Sequence, residues 1–187
     1  MKMKKILVID AHPNANSLCT SLALKSFNEA KTKGKEVELL ILRDLKFDPI
    51  LRSGFVDGQT FEVDLQDAQK KITAADHLVW VYPNWWGVMP ALLKGFIDRV
   101  FLPGWAFQYQ KGSPLPKKLL VGKTAELIHT MDTPPFFYRW FMGSRGIKIM
   151  KSNILEFCGI KVTKTKLIGP VRGAQKDQIQ NWLSSTN

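Results

Sequence analysis

Short apolar runs alternate along the chain with stretches in which apolar residues recur every three or four positions. Lys5-Ile-Leu-Val-Ile9 carries an unbroken apolar run, the pattern of a strand covered on both faces. Past the turn at Ala11-His-Pro-Asn-Ala-Asn16, Ser17 is placed to cap a helix that reaches about Lys33 and stops at Gly34. Glu36–Leu42 reads as a second strand, followed by a long connection over 43–61 marked by Asp48-Pro49, Gly54 and Gly58. Leu65, Ala68, Ile72 and Ala75 keep helical spacing, and His77–Tyr82 is a third strand. Pro90 opens the next helix, where its missing N–H costs nothing, and the pattern runs to Phe101. Residues 103–118 form a second long loop, rich in Gly, Pro and aromatics. Thr124–Thr130 is a fourth strand, and Asp132-Thr-Pro-Pro135 breaks the chain. A helix over 144–157 closed by Gly159, a fifth strand over 161–168 and a last helix over 175–184 complete the series.

Strands interleaved with helices in this way predict an α/β domain: a five-stranded parallel sheet between two helical layers, one unit over 1–187. Such sheets bind ligands beyond the carboxyl ends of their strands, where the strand order reverses. Three segments are expected to meet there. The first is His12–Cys19, which follows a strand and opens a helix, so its backbone N–H groups and the helix dipole favour an anion. Asn16 and Ser17 add side-chain donors, and His12 can bond a phosphate; the segment has no Gly-rich fingerprint. An ordinary capped turn would show the same residues.

The second segment, Pro83-Asn84-Trp85-Trp86-Gly87-Val88, sets two adjacent indoles on a turn at a strand end. Large rings are costly to leave uncovered, so the reading is a wall for a planar ligand, against the alternative of core aromatics at a helix entry. The third is Thr130-Met131-Asp132-Thr133 with Tyr138 beyond it, where the Tyr hydroxyl is a candidate donor to a ligand oxygen. The aromatics over 136–141 look too apolar for free solvent, as in a lid or a subunit interface.

A length of 187 residues suits one domain with a full core. The apolar run near the N-terminus is only Ile6–Ile9 before Asp10, too short for a secretory leader, so the cytoplasm is the expected compartment. Cys19 and Cys158 are far apart and His12, His77 and His129 scattered, so no metal site is expected. The net charge of +11 is concentrated over 111–166, which attracts anionic cofactors or an acidic surface, or simply solvates one face. No nucleic-acid reading motif accompanies it, so nucleic acid is not an expected partner.

At these segments the chain resembles the flavodoxin-like NAD(P)H:quinone oxidoreductases, whose mammalian members are called DT-diaphorases. The resemblance is carried by Leu7-Val-Ile-Asp-Ala-His-Pro13, Pro83-x-x-Trp86, Pro90-Ala-Leu-Leu-Lys-Gly-Phe-Ile-Asp-Arg-Val-Phe101, Gly104-Trp-Ala-Phe-Gln-Tyr109 and Leu155-Glu-Phe-Cys-Gly-Ile160. The stretch from Thr130 to Trp140 is similar to bacterial members described as NAD(P)H-dependent oxidoreductases.

The resemblance implies a bound flavin, with NADPH or NADH as hydride donor and a quinone-like acceptor, reacting by a ping-pong order. It implies that His12, Asn16, Ser17, Leu18 and Cys19 meet the phosphates and ribityl. Pro83, Asn84, Trp85, Trp86 and Gly87 would meet the ring, and Thr130, Met131, Asp132 and Thr133 would close its other side. Phe107 and Tyr109 would line the substrate pocket, with Tyr138 at the position of the family's catalytic Tyr. Arg172 suits a second phosphate or adenine, which favours FAD over FMN. A homodimer is implied. The family's His position falls near Ser144, with Arg145 beside it, and the Gly-Gly of the mammalian pattern is absent at 130–133. Some relatives are instead ancillary subunits of potassium-efflux systems, so a transporter or membrane surface is the alternative partner.

Overall fold

The computed structural model describes residues 4–54 and 59–184; Gly58 of the expected connection, and the first three residues, lie outside the described residues. The strands are β1 (Ile6–Asp10), β2 (Val37–Ile41), β3 (His77–Pro83), β4 (Phe107–Gln108), β5 (Lys117–Lys118), β6 (Thr124–Thr130) and β7 (Lys161–Ile168). The helices are α1 (Leu18–Thr32), α2 (Val63–Ala74), α3 (Ala91–Val100), α4 (Pro135–Trp140), α5 (Arg145–Lys148), α6 (Glu156–Cys158) and α7 (Lys176–Ser184). Five strands form one sheet in the order β2-β1-β3-β6-β7, and every neighbouring pair is parallel. The chain passes from β1 outward to β2, then returns to place β3 on the other side of β1. The switch point therefore falls between β1 and β3, where a crevice opens at the carboxyl ends.

Alternation along each strand divides the core. Val8, Val79, Val81, Ile128 and Ile168 face one layer, where Cys19, Leu22 and Ala23 of α1 pack with Trp182 and Leu183 of α7. Leu7, Ile9, Leu78, Trp80, Tyr82 and Leu127 face the other, against α2, α3 and the segment after β6. Both faces are apolar because both are covered, as parallel sheets require.

The long connection before α2 is anchored by a buried cation. Arg99 is 2% exposed and donates to the carbonyls of Asp48 and Thr60 and to Glu62 at 2.7 Å. Gly95 allows that approach: a Cβ there would lie 2.5 Å from Pro49.

Three local expectations are corrected. The helix expected over 144–157 is a composite, with a π-helical stretch at Ile149–Leu155 between α5 and α6. Asp132–Pro135 does not simply break the chain: Pro135 sits in the first turn of α4, where no N–H is needed. The loop over 103–118 holds a small antiparallel ribbon, β4 with β5.

Candidate functional site

A cleft of about 270 Å³ opens at the switch point, lined by His12, Ser17, Leu18, Cys19, Pro83, Asn84, Trp85, Thr130, Met131, Asp132 and Val171. All three segments singled out in the sequence contribute to it. Backbone bonds fasten the strand ends that form its floor: Ala11 N–H to Val81 O at 2.9 Å, Asn84 N–H to Thr130 O at 2.7 Å, and Met131 N–H to Ile168 O at 2.8 Å.

One wall is the start of α1. Ser17 caps the helix in extended conformation, its Oγ accepting from Thr20 N–H at 3.1 Å. The N–H groups of Leu18 and Cys19 have no protein acceptor among the described residues, so they remain available at the positive end of a 15-residue helix. Cys19 Sγ lies 3.1 Å from Thr130 Oγ1, which ties this wall to β6. Burial pushes the Cys19 thiol up to about 12, so it stays protonated at neutral pH. His12 Nδ1 lies 2.9 Å from the Asn14 N and 3.1 Å from the Asn14 carbonyl oxygen, so whether it accepts or donates there follows the ring tautomer. Its pKa is lowered, chiefly by burial, so the neutral form dominates at pH 7.

The opposite wall is the turn after β3. Trp85 and Val88 exchange N–H···O bonds at 2.9 and 3.0 Å around Trp86 and Gly87, whose φ angles are 54° and 82°. Positive φ at both central positions is the signature of a type I′ turn, which Gly accepts freely and Trp does not. Asn84 carries a buried Oδ1 with no protein partner, an acceptor at the cleft that a ligand N–H would satisfy.

The structure brings most of the expected residues together and separates others. Trp86 was expected in the ring wall, but it lies outside the cleft lining and is fully exposed at 102%. The turn geometry is the reason: the left-handed backbone at Trp86 carries its side chain away from the wall that Trp85 forms. Gly87, Asn16 and Thr133 flank the cleft without lining it; the Asn16 N–H donates to Asn14 Oδ1 at 2.8 Å. Arg172 is exposed, held near the rim by its N–H to Asp132 Oδ1 at 2.8 Å, and the adjoining Val171 takes the lining position.

Tyr138 lies in the interior and does not line the cleft. It is 1% exposed, its hydroxyl accepts from Ile147 N–H at 3.3 Å, and its ring packs near His129. Its contact is instead structural: Gly146, beside that hydroxyl, packs so tightly on the Gly87 carbonyl that a Cβ has no room. Phe107 is likewise interior, edge-on to Phe157 at 5.1 Å, while Tyr109 is exposed; neither lines the cleft of a single chain.

Sequence reasoning missed Val171, an unremarkable residue after β7. It also missed the buried pair of Tyr82 and His129, register partners on β3 and β6 with ring centroids 4.6 Å apart. Burial pushes His129 down to about 4, and its two ring nitrogens have no protein partner.

The cleft suits a planar ring with an anionic tail. Free amides at a helix start are available to such a tail, Trp85 offers an apolar face, and Asn84 Oδ1 lacks a donor of the kind a ring N–H would provide. The family model described as flavodoxin-like fold matches residues 4–185. The ribosyldihydronicotinamide dehydrogenase [quinone] of Mus musculus is 28% identical over 190 residues, covering 87% of this chain and 80% of its own. Among solved structures, Smu.1420 of Streptococcus mutans UA159 is 33% identical with a TM-score of 0.77, covering 97% of this chain and 96% of its own. A quinone reductase of Klebsiella pneumoniae, so named provisionally, is 25% identical with a TM-score of 0.80, covering 98% of this chain and 82% of its own.

Proposed function

Since the chain belongs to the family of the flavodoxin-like fold, we propose that it is a flavin-dependent NAD(P)H oxidoreductase that delivers two electrons to quinone-like acceptors. The observation that carries this reading is the convergence, in one cleft, of the free Leu18 and Cys19 amides with Trp85 and the unpartnered Asn84 Oδ1. The dehydrogenase and reductase names of the relatives support the same activity.

A flavin held there would supply two-electron redox chemistry between NAD(P)H and the acceptor, in a ping-pong order. The residues of the chain bind and orient. Ser17, Leu18 and Cys19 would hold the phosphate, with the His12 ring as a further partner. Pro83, Asn84 and Trp85 would support the ring, and Thr130, Met131 and Asp132 would close its other side. Tyr138 acts through the backbone it fixes, bracing α5 under the Trp turn. Arg172, held near the rim, would suit the second phosphate of FAD; FMN needs no such partner.

Phe136, Trp140 and Phe141 are exposed at 63%, 76% and 73%, and Tyr109 and Trp86 are exposed as well. A homodimer would cover this aromatic surface. Among the described residues no helix is long and apolar enough to cross a membrane.

The test is spectroscopic. Protein loaded with flavin should bleach when NADPH or NADH is added without oxygen, and a quinone should restore the colour. Flavin that is bound but not bleached by either nucleotide would leave a binding protein, as in the ancillary-subunit reading.

A further inference from the structure

Asp10, the last residue of β1, is 1% exposed and lies beneath the turn that carries His12 to Cys19. Its Oδ2 accepts from Arg43 Nη1 at 2.5 Å and from the Thr20 hydroxyl at 2.8 Å. Its Oδ1 accepts from His12 N–H at 3.2 Å. Arg43, whose side chain is 15% exposed, also reaches the His12 carbonyl and Thr20 Oγ1, each at 3.3 Å. The Thr20 N–H in turn donates to the Ser17 cap. One ion pair therefore holds both ends of the turn, the first turn of α1 and the segment following β2.

Two physical points give this network a role beyond folding. A buried ion pair is a poor source of stability compared with apolar packing, because desolvation offsets the attraction. A buried carboxylate under an anion-binding turn also repels the anion unless a cation cancels it, and the low dielectric around Asp10 makes that repulsion felt. Arg43 is in hydrogen-bonding contact with that carboxylate and with the turn itself.

We propose that Asp10 and Arg43 are a positioning pair for the phosphate of the bound flavin. Asp10 fixes the turn through His12 and Thr20, so that the Leu18 and Cys19 amides face the phosphate, and Arg43 removes the charge that would otherwise oppose it. The proposal rests on the flavin reading. It implies that the pair governs affinity for the phosphate and leaves the ring contacts at Trp85 and Asn84 alone.

The experiment titrates flavin-free protein with FMN and with riboflavin, which share the ring and differ in the phosphate, following flavin fluorescence. Arg43→Gln leaves Asp10 uncompensated and should weaken FMN about tenfold or more, with riboflavin within about threefold of the parent. Adding Asp10→Asn removes the opposing charge while keeping one acceptor oxygen for the turn, and should recover part of the FMN loss. Equal losses for the two flavins, an unchanged FMN affinity, or no recovery in the double variant would overturn the proposal. If Arg43→Gln does not fold, Arg43→Lys keeps the charge with a shorter reach. It should lose FMN affinity about threefold with riboflavin unchanged, and equal effects on the two flavins would overturn the proposal. Parent protein that binds neither flavin would overturn the cofactor reading itself, whereas normal parent binding with the wrong variant pattern overturns the pair alone.

Discussion

The His12 imidazole meets the Trp85 indole edge-on, with ring centroids 5.5 Å apart and planes at 79°. The contact joins the turn after β1 to the turn after β3 across the switch point, so the two walls of the cleft support each other. Trp85 is 44% exposed, its remaining surface open to whatever enters. Trp85→Ala should therefore weaken flavin binding about tenfold, counting lost ring contact and lost support for His12. Trp86→Ala should change it less than threefold, since Trp86 does not line the cleft. Titration of both variants with one flavin checks this, and a larger loss at Trp86 would assign the ring wall to the wrong indole.

Trp86 carries a φ of 54° and a fully exposed side chain. A left-handed backbone costs a bulky L-residue about 1–2 kcal/mol, and no burial of the indole compensates it within one chain. Trp86→Asn should raise the stability of the flavin-free monomer by about 1 kcal/mol, because Asn tolerates this conformation. Urea unfolding measures it. A lowered midpoint would show that the indole is already covered in solution, as by a second copy.

His129 makes stability depend on pH. Burial holds its pKa at about 4 in the folded chain, against about 6.5 when unfolded. Between these values the unfolded state binds more protons, so this contribution is fully present above about pH 6.5 and is lost as pH falls toward 4, by about 3 kcal/mol in all. Burial also lowers His77 and His12, which add to the slope in the same direction. His129→Gln should flatten the fall in unfolding free energy between pH 7 and pH 4.5, leaving the share of the other two. An unchanged slope would mean that His129 is not held neutral in the fold.

Arg99 binds two carbonyls and Glu62 while 2% exposed. Arg99→Ala should cost about 3–5 kcal/mol, because Glu62 and the carbonyls of Asp48 and Thr60 lose their donor together. Denaturant unfolding gives the figure. A loss under about 1 kcal/mol would show that the connection over 43–61 contributes little to the folded state.

The parts of this molecule legible in its sequence are those set by periodicity. β6 and β7 run over the residues expected, and β1, β2 and β3 differ from expectation by a residue at their ends, because apolar runs between turn residues leave a buried strand few alternatives. The meeting of His12–Cys19, Pro83–Trp85 and Thr130–Asp132 was legible because strand order alone brings those ends together. Side-chain direction was not. Trp85 and Trp86 are indistinguishable as neighbours in sequence, and only the two-residue turn decides which faces the cleft. Tyr138 looked available because Pro134-Pro135 reads as a break; the proline opens a helix that turns the ring inward. The Asp10–Arg43 pair joins β1 to the segment after β2, a tertiary contact that no local pattern announces.

The proposed site for one flavin lies where the start of α1 faces Trp85. Equilibrium titration of the flavin-free chain with FMN and with FAD tests it most directly. Saturation at one flavin per chain is expected, with quenched flavin fluorescence and about tenfold weaker binding in Trp85→Ala. Failure of both flavins to bind saturably, or binding indifferent to Trp85, would contradict it.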